Sequence, residues 1–181
     1  MSNISREHSI FLVTGPVQSG KTTLLTKLVI ELKKEGWYVG GFLAPGSFIS
    51  GIRSGFRLQS IATGEEHAMA DTQERSGWFK YRRFWFNPEA FKAGQQWIRS
   101  DMQQAPSVMV IDEVGPMELE GSGWYSELDY LKSAGLPLQF WSVRDGIVEQ
   151  VRQRWEIPSG NQIDVKEMKW EQLQKLIREI L

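Results

Sequence analysis

The sequence predicts an α/β fold: a mostly parallel sheet flanked by helices, with one β-hairpin-rich insertion. Three observations carry that prediction. Short apolar runs of the kind shown by buried parallel strands alternate with segments of helical apolar spacing. The first of these runs leads at once into a glycine-rich turn and a helix, the order that a phosphate-binding loop requires. Between residues 44 and 86 the alternation stops, and glycines recur between short runs instead. The expected organisation is one domain over 1–181, with 44–86 as an insertion within it.

Ser9-Ile10-Phe11-Leu12-Val13 reads as the first strand. Gly15-Pro16-Val17-Gln18-Ser19-Gly20-Lys21-Thr22-Thr23 follows and fits G-x-x-x-x-G-K-[ST]. Leu24, Leu25, Leu28, Val29 and Leu32 then recur at helical spacing up to a stop at Glu35-Gly36. Trp37 to Leu43 reads as the second strand, completing a unit that closes right-handed on a parallel sheet. In the insertion, Gly46, Gly51, Gly55, Gly64 and Gly77 separate runs such as Phe56 to Ser60, as antiparallel hairpins do. Trp78 to Phe86 interleaves aromatics with Lys80, Arg82 and Arg83. We expect a strand there, with one aromatic face packed and its basic side chains in water. The competing reading is a stacking surface for a nucleotide or a single strand.

Asn87-Pro88 opens a helix, because proline at the first helical position gives up an N–H that has no partner anyway. Its inward face is Ala90, Phe91, Gly94, Trp97 and Ile98. Ser107 to Glu113 is the strongest buried-strand signal in the chain. A helix from Tyr125 to Ser133, a strand from Leu138 to Val143 and a helix from Ile147 to Arg154 follow. A short strand at Ile163 to Val165 precedes an amphipathic helix with Leu173, Leu176, Ile177 and Ile180 on one side. That stripe is expected to pack on its own sheet and not on a partner helix.

Composition narrows the function classes. An apolar content of 41% and a charged content of 24% are those of a globular protein with a sizeable core. No apolar run is long enough to span a bilayer and no secretory pattern precedes the first strand. The absence of cysteine leaves neither disulfides nor a thiolate zinc site and fits a cytoplasmic location. A net charge of −1 argues against a non-specific grip on nucleic acid. No pattern marks a protein partner.

The residues that carry chemistry start with the loop. Backbone N–H groups from Gly15 to Thr23 are expected to cradle the phosphates of a nucleotide, ATP or GTP, at the positive end of the helix dipole. Lys21 is expected to reach the β- and γ-phosphates, and Thr22 to offer its hydroxyl to Mg2+. Asp112, ending an apolar strand, is placed to hold that ion with Thr22. Glu113 beside it is the candidate to polarise an attacking water. Arg144, after a strand end, and Arg53, in the insertion, are candidates to stabilise the charge that develops in transfer. Glu118 is read as a residue that orders the site or pairs structurally, and His8 and His67 as exposed.

The string Asp112-Glu113-Val114-Gly115-Pro116-Met117-Glu118-Leu119 resembles the D-E-[IV]-G-x-M-E-L signature of the small nucleoside-triphosphatases that include the thermophile and cancer-related enzymes. Gly40-Gly41-Phe42 and Arg53-Ser54-Gly55-Phe56 are similar to that family as well, so the resemblance runs from about Ile10 to Val151. It implies a RecA-like core of the P-loop NTPase kind and slow, Mg2+-dependent hydrolysis of nucleoside triphosphates with loose base selectivity. The chain departs from the family at Ala44-Pro45-Gly46-Ser47, where an acidic, threonine-containing segment is usual, and at Asn161-Gln162, where an Asn-Arg pair is common. Two alternatives stand beside this reading. A nucleotide or nucleoside kinase would use Lys80, Arg82 and Arg83 as a lid. A nucleotide-binding adaptor is the other, since Gly36-Trp37-Tyr38-Val39-Gly40 resembles the GTP-binding protein of molybdopterin-guanine dinucleotide biosynthesis.

Overall fold

Alternation along the first strand sets up the two cores of the molecule. Ile10 and Leu12 enter one core while Phe11 and Val13 enter the other, as the pleat of a strand dictates. The computed structural model describes residues 9–136 and 138–181. His8 therefore lies outside the described residues.

The chain begins β1 (Ser9–Gly15), α1 (Lys21–Lys34), β2 (Val39–Leu43). The insertion contributes β3 (Gly46–Ile49), β4 (Ile52–Ser60), β5 (Glu66–Asp71), β6 (Phe79–Tyr81) and β7 (Phe84–Phe86). Then come α2 (Pro88–Gln103), β8 (Val108–Val114), α3 (Pro116–Leu119) and α4 (Tyr125–Ser133). The rest is β9 (Leu138–Arg144), a 3-10 turn at Asp145–Ile147, α5 (Val148–Arg154), β10 (Gln162–Asp164) and α6 (Trp170–Ile180).

Among the described residues these strands form one ten-stranded sheet in the order β10-β1-β9-β8-β2-β4-β5-β7-β6, with β3 beside β4. From β10 to β2 every pairing is parallel. From β2 outwards every pairing is antiparallel, starting with Phe42 opposite Ser60. The insertion therefore extends the same sheet. Leu25, Leu28 and Leu32 of α1 and Leu173 and Ile177 of α6 bury one face. Residues of α2, α4 and α5, with Trp97, Trp124 and Trp155, bury the other.

Two close contacts lock this arrangement. Gly41 has φ +95, and a Cβ there would lie 2.0 Å from the carbonyl oxygen of Val110 on β8, so only glycine fits. Its N–H donates to Asp101 on α2 at 2.7 Å, and the Tyr38 hydroxyl donates to the same carboxylate at 2.9 Å. Burial pushes the Asp101 carboxyl up, and it also raises the Tyr38 phenol to about 12.

Two expectations are corrected. Trp78 to Phe86 is a hairpin that turns at Arg82-Arg83, with Arg82 at φ 54, and no glycine announces it. His67 is half-buried, hydrogen-bonded to Glu65 at 2.9 Å with its ring 5.6 Å from that of Trp97. Arg53 stands in the hairpin of β3 and β4, as expected, opposite Phe48 and close to the Ser50-Gly51 turn.

Candidate functional site

The carboxyl ends of parallel strands leave their next residues free to form a crevice, which is where ligands bind in open α/β sheets. Register brings the ends of β1, β9 and β8 together there. Gly15 pairs with Arg144, and Val143 pairs with Val114. The ladder between β8 and β9 is irregular between Ile111 and Val114, so Asp112 and Glu113 stand at the break.

Gly20 caps α1 from the left-handed region at φ 95, which lets the chain swing from loop to helix in one residue. Lys21, at the first helical position, is only 6% exposed. Its Nζ donates to the carbonyl oxygens of Gly15 at 2.8 Å and Pro16 at 2.9 Å, drawing the ammonium across the loop. Burial lowers its pKa, and the nearby carboxylates of Glu113 and Asp112 oppose that shift. The Ser19 hydroxyl is buried in the loop and, among the described residues, has no hydrogen-bond partner.

Thr22 Oγ1 donates to Asp112 Oδ2 at 2.7 Å, joining residues 90 apart in sequence. The Ser142 hydroxyl donates to the other oxygen of Asp112, and the Ala44 N–H donates to Oδ2 at 3.1 Å. Burial pushes the Asp112 carboxyl up, while these three donors favour its ionised form. Glu113 is more open, its side chain 29% exposed, and Arg144 Nη2 donates to its Oε1 at 2.7 Å.

These groups open into one cavity of about 950 Å³, walled by Lys21, Thr22, Arg53, Asp112, Glu113 and Arg144 on one side. The hairpin of β6 and β7 walls the other side, with Tyr81, Arg82, Arg83, Phe84 and Phe86. Lys80, Arg82 and Arg83 are exposed, as expected, and Arg82 and Arg83 also edge the cavity. Arg53 lies over Phe56 at 5.0 Å and Phe48 at 5.4 Å. Burial lowers its pKa, with Glu113 opposing. The Nε of Arg53 and the Nε of Arg144 are buried without a partner among the described residues, as is Ser19 Oγ. Buried donors normally find acceptors. Three in one cavity mark it as a place for an anion.

Glu118 has the structural role. Its two oxygens accept from the N–H groups of Gly115 at 2.7 Å and Trp124 at 3.0 Å, which bends the chain after β8. Burial raises its carboxyl to about 7. Sequence reasoning missed Ser142 and the Ala44 N–H. A serine inside a strand and a main-chain donor carry no pattern of their own.

Oxygen donors from Thr22 and Asp112 suit a hard cation such as Mg2+, which takes few protein ligands and completes its shell with phosphate and water. No group of three or more His, Cys, Asp or Glu side chains is arranged for a metal among the described residues, so a cage made wholly of protein is not offered. No described helix is long and apolar enough to cross a membrane.

Comparison with known proteins gives the family and the fold. A family model described as NTPase matches residues 10–180. The nucleoside-triphosphatase THEP1 of Sulfolobus acidocaldarius is 29% identical over 126 residues, 70% of this chain and 72% of that protein. The THEP1 of Pyrococcus abyssi is 31% identical over 129 residues, 71% of this chain and 68% of that one. Among solved structures, THEP1 from Aquifex aeolicus superposes with a TM-score of 0.68 at 20% identity, covering 95% of this chain and 96% of the other. A human cancer-related nucleoside triphosphatase gives 0.64 at 23% identity, covering 96% and 95%. At those identities the two structures establish the fold, a P-loop NTPase fold, and no more.

Proposed function

This chain belongs to the NTPase family and is a nucleoside-triphosphatase; from that premise we propose that it cleaves the β–γ bond of a nucleoside triphosphate, with Mg2+, inside the cavity just described. The observation that carries this reading is the 2.7 Å contact between Thr22 and Asp112, which brings the loop and the end of β8 to one point.

The triphosphate lies along the loop, Gly15 to Thr23, where the N–H groups at the start of α1 and the Ser19 hydroxyl donate to its oxygens. Lys21 exchanges the carbonyls of Gly15 and Pro16 for the β- and γ-phosphates. Thr22 and Asp112 would hold Mg2+, which when bound would supply positive charge to the phosphate oxygens. Ser142 and Ala44 fix the Asp112 carboxylate in the orientation this requires. Glu113 accepts a proton from water and aims that water at the γ-phosphorus. Arg144 orients Glu113 through their ion pair, and its remaining donors face the charge growing on the leaving oxygens. Arg53 adds to that charge from β4. The absence of cysteine suits a reducing cytoplasm.

Phosphate release and calorimetric binding test the reading together. ATP or GTP binds the parent in the presence of Mg2+ and phosphate appears. Lys21→Ala, still folded by circular dichroism, binds at least about tenfold more weakly, the worth of one charge-assisted hydrogen bond. Unchanged affinity in that variant would remove the loop from the site.

A further inference from the structure

The catalytic reading uses only one side of the cavity. Its volume of about 950 Å³ stands at the top of the range of about 300–1,000 Å³ typical of single-ligand sites. The unused side is built from the insertion and is chemically distinct. Phe56 and Phe84 meet edge to face at 5.2 Å, and Phe84 and Phe86 do so at 6.3 Å, leaving aromatic walls around the opening. At its rim, Arg82 lies over Tyr81 at 5.4 Å and Arg83 over Phe84 at 4.6 Å. Among the described residues neither arginine is bridged to a carboxylate, although seven other arginines are.

Which end of the triphosphate faces this lobe follows from the reading above, on which the inference rests. Lys21, Thr22 and Asp112 bracket the β- and γ-phosphates, and Glu113 with Arg144 marks the γ end. Arg53 connects the two sides: it lies over Phe56 at 5.0 Å, Phe56 meets Phe84 of the lobe at 5.2 Å, and Arg53 lines the same cavity as Asp112, Glu113 and Arg144. The aromatic lobe therefore lies beyond the γ-phosphate, on the side away from the nucleoside of the bound triphosphate.

We propose that this lobe is a second ligand site, taking a nucleoside monophosphate alongside the bound triphosphate. The base stacks against the aromatic walls formed by Phe56, Phe84 and Phe86, because every base presents a π-face and aromatic stacking tolerates base identity. The single phosphate is held by Arg82 and Arg83, whose planar forks match phosphate oxygens. Two adjacent arginines at a hairpin turn suit one doubly charged group. An uncharged nucleoside would leave both without an anion.

Calorimetry decides it. The protein is first saturated with Mg2+ and the β,γ-imido analogue of ATP, then titrated with AMP, GMP and adenosine. A monophosphate binds the loaded protein one to one, adenosine binds at least about tenfold more weakly, and the Arg82→Ala/Arg83→Ala variant loses the monophosphate by at least about tenfold. The analogue binds that variant as it binds the parent. Failure of the analogue to bind at all overturns the phosphate-loop reading and this inference with it. A loaded protein that ignores monophosphates, or one from which they displace the analogue, overturns this inference alone. So does a double variant that loses the analogue instead, since the triphosphate's own base then occupies the lobe.

Discussion

Glu118 shows how a buried carboxyl can serve structure beside a candidate active site. It is 3% exposed, yet it accepts two main-chain hydrogen bonds that bend the chain after Asp112-Glu113. Burial outweighs those bonds and lifts its carboxyl from 4.5 to about 7. A carboxyl raised in the fold binds protons more tightly there than in the unfolded chain. Its contribution to stability is therefore greatest below pH 4.5, declines as pH rises towards 7, and is level above that. The full decline is about 3 kcal/mol. Urea unfolding of the parent at pH 5 and pH 7.5 is expected to show that loss, and Glu118→Gln to flatten it; equal slopes in both proteins would contradict the assignment. At this scale Lys21 and Thr22 were legible from the fixed spacing of the loop, and Asp112 and Glu113 from their place at the end of an apolar strand; the fold brings all four to one cavity. Ala44 was not. The chain has no acidic or threonine side chain at Ala44–Ser47, but the donor to Asp112 there is a backbone N–H, which needs no particular residue.

Among the elements, α2 packs on β4 and β5 of the insertion and, through Phe91, on Trp124 past the bend after β8. Its helical stripe and its proline start were plain in the sequence, and all five residues expected on its inner face are buried. Gly94 is in that stripe because of Trp124: a Cβ there would stand 2.7 Å from the indole, which is 1% exposed and has nowhere to move. Gly94→Ala gains up to about 1 kcal/mol of helix propensity but overpacks at a cost of about 1–3 kcal/mol. A lower urea midpoint is expected, with a net loss of about 1–2 kcal/mol; a higher midpoint would show that Trp124 yields. The hairpin of β6 and β7 was illegible for the opposite reason. Its turn is made by Arg82 and Arg83, which carry no turn signal, and its place beside the cavity depends on antiparallel pairing with β5 that local sequence does not encode.

Across the whole molecule, the sheet divides the labour. Its parallel half was readable from the alternation of apolar runs and helices, and it brings the loop, Asp112, Glu113 and Arg144 to one edge. Its antiparallel half adds Arg53 and the aromatic lobe, whose position follows only from long-range pairing between β2 and β4. Glu113 is held by Arg144 in an ion pair, so in the proposed mechanism the carboxylate that would accept the proton is shared with the cation that would stabilise the transition state. An arginine free to act fully in phosphoryl transfer supplies about 10³–10⁵-fold in rate; one engaged with the base supplies less. Turnover is accordingly expected to fall below the median enzyme value of about 10 per second. Single-turnover phosphate release from Glu113→Gln, measured beside equilibrium triphosphate binding, tests the central claim most directly. The account predicts binding close to that of the parent and release slowed about 10²–10⁴-fold; release at the parent's rate would contradict it, because the water would then be aimed by another group.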